Sequence, residues 1–96
     1  MTWVKIAVRL YANLRQVAGT SSETLEVPDR ATVRFALERL FEGHPALRGE
    51  ILDERGEVRP FVHIFRNGRE VRWQGGLETV LEADDAISLF PPIAGG

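Results

Sequence analysis

Cysteine is missing from this chain, so disulfides, thiolate catalysis and cysteine-ligated metal centres are excluded together. Histidine occurs only as His44 and His63. With no third ligand at useful spacing, neither points to a metal. Lysine occurs once, at Lys5, and every other cationic side chain is arginine. No apolar run approaches the ~20 residues that a membrane-spanning helix needs. The formal charge of −2 offers no broad attraction to nucleic acid or to a membrane surface. The opening Met1-Thr2-Trp3-Val4-Lys5 enters a strand pattern at once, so no signal peptide is expected and the expected location is the cytoplasm.

What is present is an ordinary globular composition. Ninety-six residues with 44% apolar side chains suffice for one core and leave no room for a second domain. Val4, Ile6, Val8 and Leu10 alternate with polar or small residues, the period of a strand with one buried face. Leu10, Leu14 and Val17 then switch to helical spacing, and Gly19 stops the short helix. Thr24 to Val27 reads as a second strand. Thr32 is the expected N-cap of the main helix, whose Val33, Leu37, Leu40 and Phe41 form one apolar stripe, with Gly43 and Pro45 as the stop. Residues 44–56 read as a loose connection with about one helical turn, held by Leu47, Ile51 and Leu52.

Phe61 to Arg66 reads as a strand joined through Asn67-Gly68 to a partner strand over Glu70 to Trp73. Leu77, Val80 and Leu81 fit a short tucked turn, Asp84-Asp85 a further turn, and Ala86 to Phe90 the last strand. The expected class is α+β: a mixed sheet of about five strands with one long helix covering one face, as in a β-grasp. The other face stays open to solvent or a partner.

The chain ends Pro91-Pro92-Ile93-Ala94-Gly95-Gly96. Each proline fixes φ and lacks an N–H, which stiffens the exit from the last strand. The two glycines carry no side chain, so the backbone can thread a narrow channel. At ordinary usage, two prolines and two glycines at these places have odds on the order of one in 100,000. Six residues reach at most about 20 Å. Residues 1–90 are thus expected to form a single domain, and 91–96 a flexible tail that presents a carboxylate to another protein's active site.

The stretch Leu10 to Gly19, Asn67-Gly68-Arg69, Gly76 to Leu81 and the ending Asp84 to Gly96 resemble, in order, the pattern of the MoaD/ThiS-type ubiquitin-like sulfur carriers. The likeness runs the whole length, and Leu89-Phe90-Pro91-Pro92-Ile93-Ala94-Gly95-Gly96 is its most specific part. It is nearest to the longer archaeal-type branch that also holds small ubiquitin-like modifiers; ThiS carriers usually have a shorter chain without the Pro-Pro exit. The resemblance implies that Gly96 is activated with ATP by a ubiquitin-activating-type adenylyltransferase, Gly95 keeping the approach narrow. No cofactor on the chain itself is implied. In the sulfur-carrier role a sulfur donor enzyme then makes a C-terminal thiocarboxylate, used inside the large subunit of molybdopterin synthase. Molybdopterin synthesis is the leading expectation. The alternatives are conjugation of Gly96 to target lysines, tRNA thiolation or thiamine synthesis.

Docking requires a surface. By parity Ile87 and Leu89 face the core and Phe90 faces outward, with Phe61 and Phe65 as its expected neighbours on the open face, and Pro91, Pro92, Ile93 and Ala94 continuing the contact. Asp53-Glu54 and Asp84-Asp85 read as solvated turn residues. Arg59, Arg66, Arg69 and Arg72 make the hairpin region locally basic. Arg66 departs from the family pattern, in which a small apolar residue is common before Asn-Gly. Lys5 is the one side chain on which chains of a modifier could grow.

Overall fold

The computed structural model describes residues 2–92. Ile93, Ala94, Gly95 and Gly96 lie outside that range, so the roles expected of them rest on sequence. Five strands and three helices follow one another as β1 (Trp3–Leu10), α1 (Asn13–Ala18), β2 (Ser22–Pro28), α2 (Val33–Gly43), α3 (Ala46–Ile51), β3 (His63–Arg66), β4 (Arg69–Glu70) and β5 (Ala86–Phe90). Two 3₁₀ turns, Val71–Trp73 and Gly76–Glu78, link β4 to β5.

The sheet order is β2-β1-β5-β3-β4. β1 and β5 run parallel, with Val8 opposite Ile87 and Leu10 opposite Leu89, while the other pairs are antiparallel. Register and parity put Ile6, Val8, Leu10, Ile64, Ile87 and Leu89 on one face, all at most 2% exposed. Against it pack Val33, Ala36, Leu37, Leu40 and Phe41 of α2, with Leu14, Leu47 and Ile51 from the short helices. Helix α2 starts where the sequence places it, because the Thr32 hydroxyl accepts the Phe35 N–H at 3.2 Å. Gly19 closes α1 in the left-handed region at φ 76°.

Several details differ from the sequence reading. Residues 46–51 form a full helix rather than one turn, since Leu47 and Ile51 both reach the core. Val17 is 39% exposed and only Leu14 of α1 is buried, because six residues present one stripe too short for both. β4 holds two residues before the chain turns into a 3₁₀ segment, so the hairpin is much shorter than expected.

Phe61 is another. It does not belong to β3, which begins at His63. Pro60-Phe61 occupy the centre of a turn closed by the Val62 N–H to the Arg59 carbonyl at 3.2 Å, with Phe61 at φ 69°. Proline at the first central position and positive φ at the second is the type II pattern, which favours glycine there. Phe61 is nonetheless 72% exposed, so it gains little burial in exchange for that backbone.

Asp85 is buried at 6% exposure rather than solvated. Its carboxylate accepts from Arg66 Nε at 2.7 Å, Asn67 Nδ2 at 2.8 Å and the Glu82 N–H at 2.8 Å. Arg66, the departure from the family pattern, is therefore accounted for by its buried carboxylate partner. Asn67 and Gly68 both have positive φ, as the two-residue hairpin requires. The Asn67 side chain also accepts the Ala86 N–H at 2.9 Å, so one amide joins the hairpin to β5.

Burial alone would raise the Asp85 carboxyl, but the Glu82 N–H, Arg66 and Asn67 together outweigh it and hold its pKa below the ordinary 3.8. A depressed folded-state pKa contributes stability above the unfolded value, and that contribution is lost as pH falls through the folded one. Asp85→Asn should cost about 1–3 kcal/mol near neutral pH by leaving donors without an acceptor. Urea midpoints of the two proteins should converge as pH drops below the ordinary carboxylate value; a gap that stays constant in acid would contradict the assignment. Phe61→Gly, by contrast, should leave stability unchanged or raise it by about 1 kcal/mol, read from the same titration.

Candidate functional site

β5 carries the chain out of the sheet. Ile87 and Leu89 are fully buried, and the alternate residues Ala86, Ser88 and Phe90 are turned to the face that no helix covers. Phe90 then leads into Pro91, half-buried, and Pro92, exposed. Beside this exit lies an open groove of about 980 Å³, lined by Tyr11, Ala12, Phe61, His63, Phe65, Glu70, Phe90, Pro91 and Pro92.

The groove is built from aromatic contacts. Tyr11 stacks on Phe90 with ring centroids 4.3 Å apart and planes 12° from parallel, while Phe65 meets Phe90 edge-on at 5.4 Å. Arrangements of this kind are worth about 0.5–1.5 kcal/mol each beyond area burial. The Tyr11 N–H also bonds the Leu89 carbonyl at 3.3 Å, which ties the end of β1 to β5. Strand pairing sets His63 opposite Phe90 and Phe65 opposite both Ser88 and Glu70.

Two polar side chains interrupt the apolar wall. His63 Nδ1 lies 2.6 Å from Glu70 Oε2, and Arg72 Nε is 3.8 Å from the same oxygen. The hydrogen bond from His63, with the nearby charges of His63 and Arg72, holds the Glu70 carboxyl below its ordinary range against the opposing effect of burial. His63 is thus a partner of Glu70. His44 is similarly paired, with Glu23 at 2.7 Å. Among the described residues no group of acidic or histidine side chains is placed to hold a metal ion.

The structure therefore brings Phe90, Phe65, Phe61, Pro91 and Pro92 together, with Phe61 reaching the groove from the turn before β3 rather than from the strand itself. Sequence reasoning missed Tyr11, Ala12 and Glu70. Tyr11 was readable: it directly follows the last core residue of β1, and an exposed tyrosine there had no helical role. Ala12 has φ 52° and ψ −133°, a backbone region that favours glycine, and nothing in its identity announces this. Glu70 was readable too, since a two-residue turn at Asn67-Gly68 sets it opposite Phe65 on the same face. Asp53, read as a solvated turn residue, stays on the surface and accepts the Arg55 and Glu57 N–H groups of its own turn.

With this geometry in hand, likeness to known proteins is informative. The ThiS family matches residues 8–96. Small archaeal modifier protein 3 of Haloferax volcanii is 40% identical over 93 residues, 97% of this chain and 100% of that protein. The molybdopterin synthase sulfur carrier subunit of Chlamydomonas reinhardtii is 29% identical over 93 residues, again 97% of this chain and 100% of that protein. The crystal structure of SAMP1 from Haloferax volcanii superposes with a TM-score of 0.86 at 34% identity, covering 96% of this chain and 99% of that one. Modifiers and sulfur carriers stand side by side among these relatives, and no helix of the described residues is long and apolar enough to cross a membrane. The chain belongs to the ThiS/MoaD-type ubiquitin-like family of sulfur carriers and small modifiers, and its fold is the β-grasp.

Proposed function

We propose that this chain is a ubiquitin-like protein modifier, with residues 1–90 as a single domain and 91–96 as the tether that offers the Gly96 carboxylate. The observation that carries this reading is the run of β5 through Phe90, Pro91 and Pro92 toward Gly95-Gly96, in a chain 40% identical to the full length of a protein named as a modifier. The α-carboxylate has an ordinary pKa of about 3.5 and is ionised at neutral pH. One of its oxygens attacks the α-phosphorus of ATP inside a ubiquitin-activating-type adenylyltransferase, and pyrophosphate leaves. A target lysine amine then attacks the acyl carbon, AMP leaves, and an isopeptide bond forms. ATP belongs to the enzyme, and the chain itself needs no cofactor. Phe90, Phe65, Phe61, Pro91 and Pro92 form the docking surface, and Ile93 and Ala94 cross into the enzyme channel.

A second reading is favoured by the full-length match to a molybdopterin synthase sulfur carrier subunit. In it sulfide-level sulfur supplied by a donor enzyme attacks the acyl carbon of the same adenylate, AMP leaves, and the Gly96 thiocarboxylate so formed is used within the large subunit of that synthase. Both readings share the activation step and differ in what takes the acyl group.

Mass spectrometry of the protein from its native cells separates them. Conjugates bearing the Gly96 acyl group on lysine are expected for the modifier. A free pool in which one terminal oxygen is exchanged for sulfur would identify the carrier. Deleting Gly96 should abolish both products with no loss of fold, and Gly96→Ala should lower adenylation first; full activity of a chain lacking the diglycine would remove the proposal. Lys5 is exposed on β1 opposite Glu26. Lys5→Arg should eliminate side-chain-linked chains of the modifier while single attachments remain, scored by the ladder of conjugates on a denaturing gel.

A further inference from the structure

Lysine is among the commonest residues of ordinary proteins, yet here eleven of the twelve Lys and Arg side chains are arginine and Lys5 stands alone. The two side chains carry the same charge and differ in chemistry. An ammonium can give up a proton and become an amine nucleophile, whereas a guanidinium stays protonated and offers no lone pair. Their placement relative to the tail divides in the same way. The six residues after Phe90 reach at most about 20 Å. Arg9 lies opposite Ser88, two residues back from Phe90, or about 7 Å along the strand. Arg15 follows one turn after Tyr11, whose ring stacks on that of Phe90. Arg72 Nε is 3.8 Å from Glu70, which lines the groove with Pro91 and Pro92. Lys5 is far from all of these. Its carbonyl accepts the Asp84 N–H at 2.9 Å, which sets it six residues, or about 20 Å, from Phe90 along the sheet. Only a tail drawn out to its full length would meet it.

An acyl group that a target lysine attacks is equally open to any amine the tail itself can reach. A short flexible tether holds its end at an effective concentration on the order of millimolar for sites it spans, and near zero for sites it cannot. Against target amines at micromolar concentration, a lysine beside the exit would therefore win by a factor on the order of a hundred or more.

We propose that Arg9, Arg15 and Arg72 determine acceptor specificity: they supply positive charge within the tail's radius while denying the activated Gly96 an acceptor on its own chain. The acyl group then passes only to amines of other molecules. The inference rests on the tail-activating function above and specifies where its acceptor must lie. The step suppressed is attack of a side-chain amine on the Gly96 acyl carbon. In that step the C–N bond forms, AMP leaves, the nitrogen loses a proton, and the closed chain is one water lighter than the free one.

The test incubates the full chain with ATP and the ubiquitin-activating-type adenylyltransferase of the same organism, with no target protein, and reads intact mass and pyrophosphate exchange. Arg9→Lys and Arg15→Lys each keep the charge, and each should raise the form lighter by one water about tenfold or more over the unaltered chain. Peptide mapping should place the new amide at the substituted position, and its yield should not vary with protein concentration. Arg39→Lys is the control. Arg39 lies over the ring of Trp3, at the far end of β1 from Tyr11, and should add no closed form. Urea midpoints confirm that each variant is folded. Yield is scored per unit of exchange, so weaker engagement of the enzyme by one variant does not hide the outcome. No closed form in the two exit variants while exchange proceeds would overturn the inference and leave the terminal chemistry standing. So would equal closure with Arg39→Lys, or on Lys5 in the unaltered chain. Absence of exchange in the unaltered chain would remove the terminal chemistry itself, and the inference with it.

Discussion

The parity of β5, enclosed between β1 and β3, is the constraint from which the rest of the molecule follows. Side chains of a strand alternate between faces, so burying Ile87 and Leu89 completely obliges Phe90 to face the uncovered side. A slip of one residue would turn Phe90 into the core and expose Leu89, at a cost of several buried side chains. Because β5 has neighbours on both sides, its register is fixed twice, by Leu10 across the parallel pair and by Ile64 across the antiparallel one. The point at which the chain leaves the sheet is therefore set by the core.

The opposite end of β5 is set by electrostatics. The Asp85 carboxylate collects Arg66, Asn67 and the Glu82 N–H, and the Asn67 amide returns a bond to Ala86. Two segments distant in sequence, Arg66-Asn67 and the turn from Glu82 to Ala86, are thus joined just where the last strand begins. A buried carboxylate is costly unless paired, which makes this cluster demanding about geometry as well as stabilising. Pairing at Asp85 and parity along β5 act in sequence, one starting the strand in register and the other delivering Phe90 to the groove.

Much of this was legible in the chain. The period of two over Val4 to Leu10, the Thr32 cap, the apolar stripe of α2 and the Asn67-Gly68 turn each rest on a local rule, and each is realised. The outward aspect of Phe90 followed from counting. What could not be read depends on contacts between distant segments. Asp85 next to Asp84 has the look of a surface turn until Arg66 and Asn67 are brought to it. Phe61 shares the parity of His63 and Phe65, and only the preceding Pro60 signalled that the strand had not yet begun.

Phe61 also shows how local rules and use can diverge. Its backbone conformation favours glycine, and its ring is mostly in water, so neither torsion nor burial accounts for an aromatic side chain there. Ala12 repeats the theme across the groove, in a region of backbone space that penalises any side chain. Glycine at either position would relieve the torsion, and at Phe61 it would also remove one wall of the groove. The side chain of Phe61 keeps an aromatic wall raised beside Pro91 and Pro92. Stability of the isolated domain therefore accounts for neither side chain, although both line the groove.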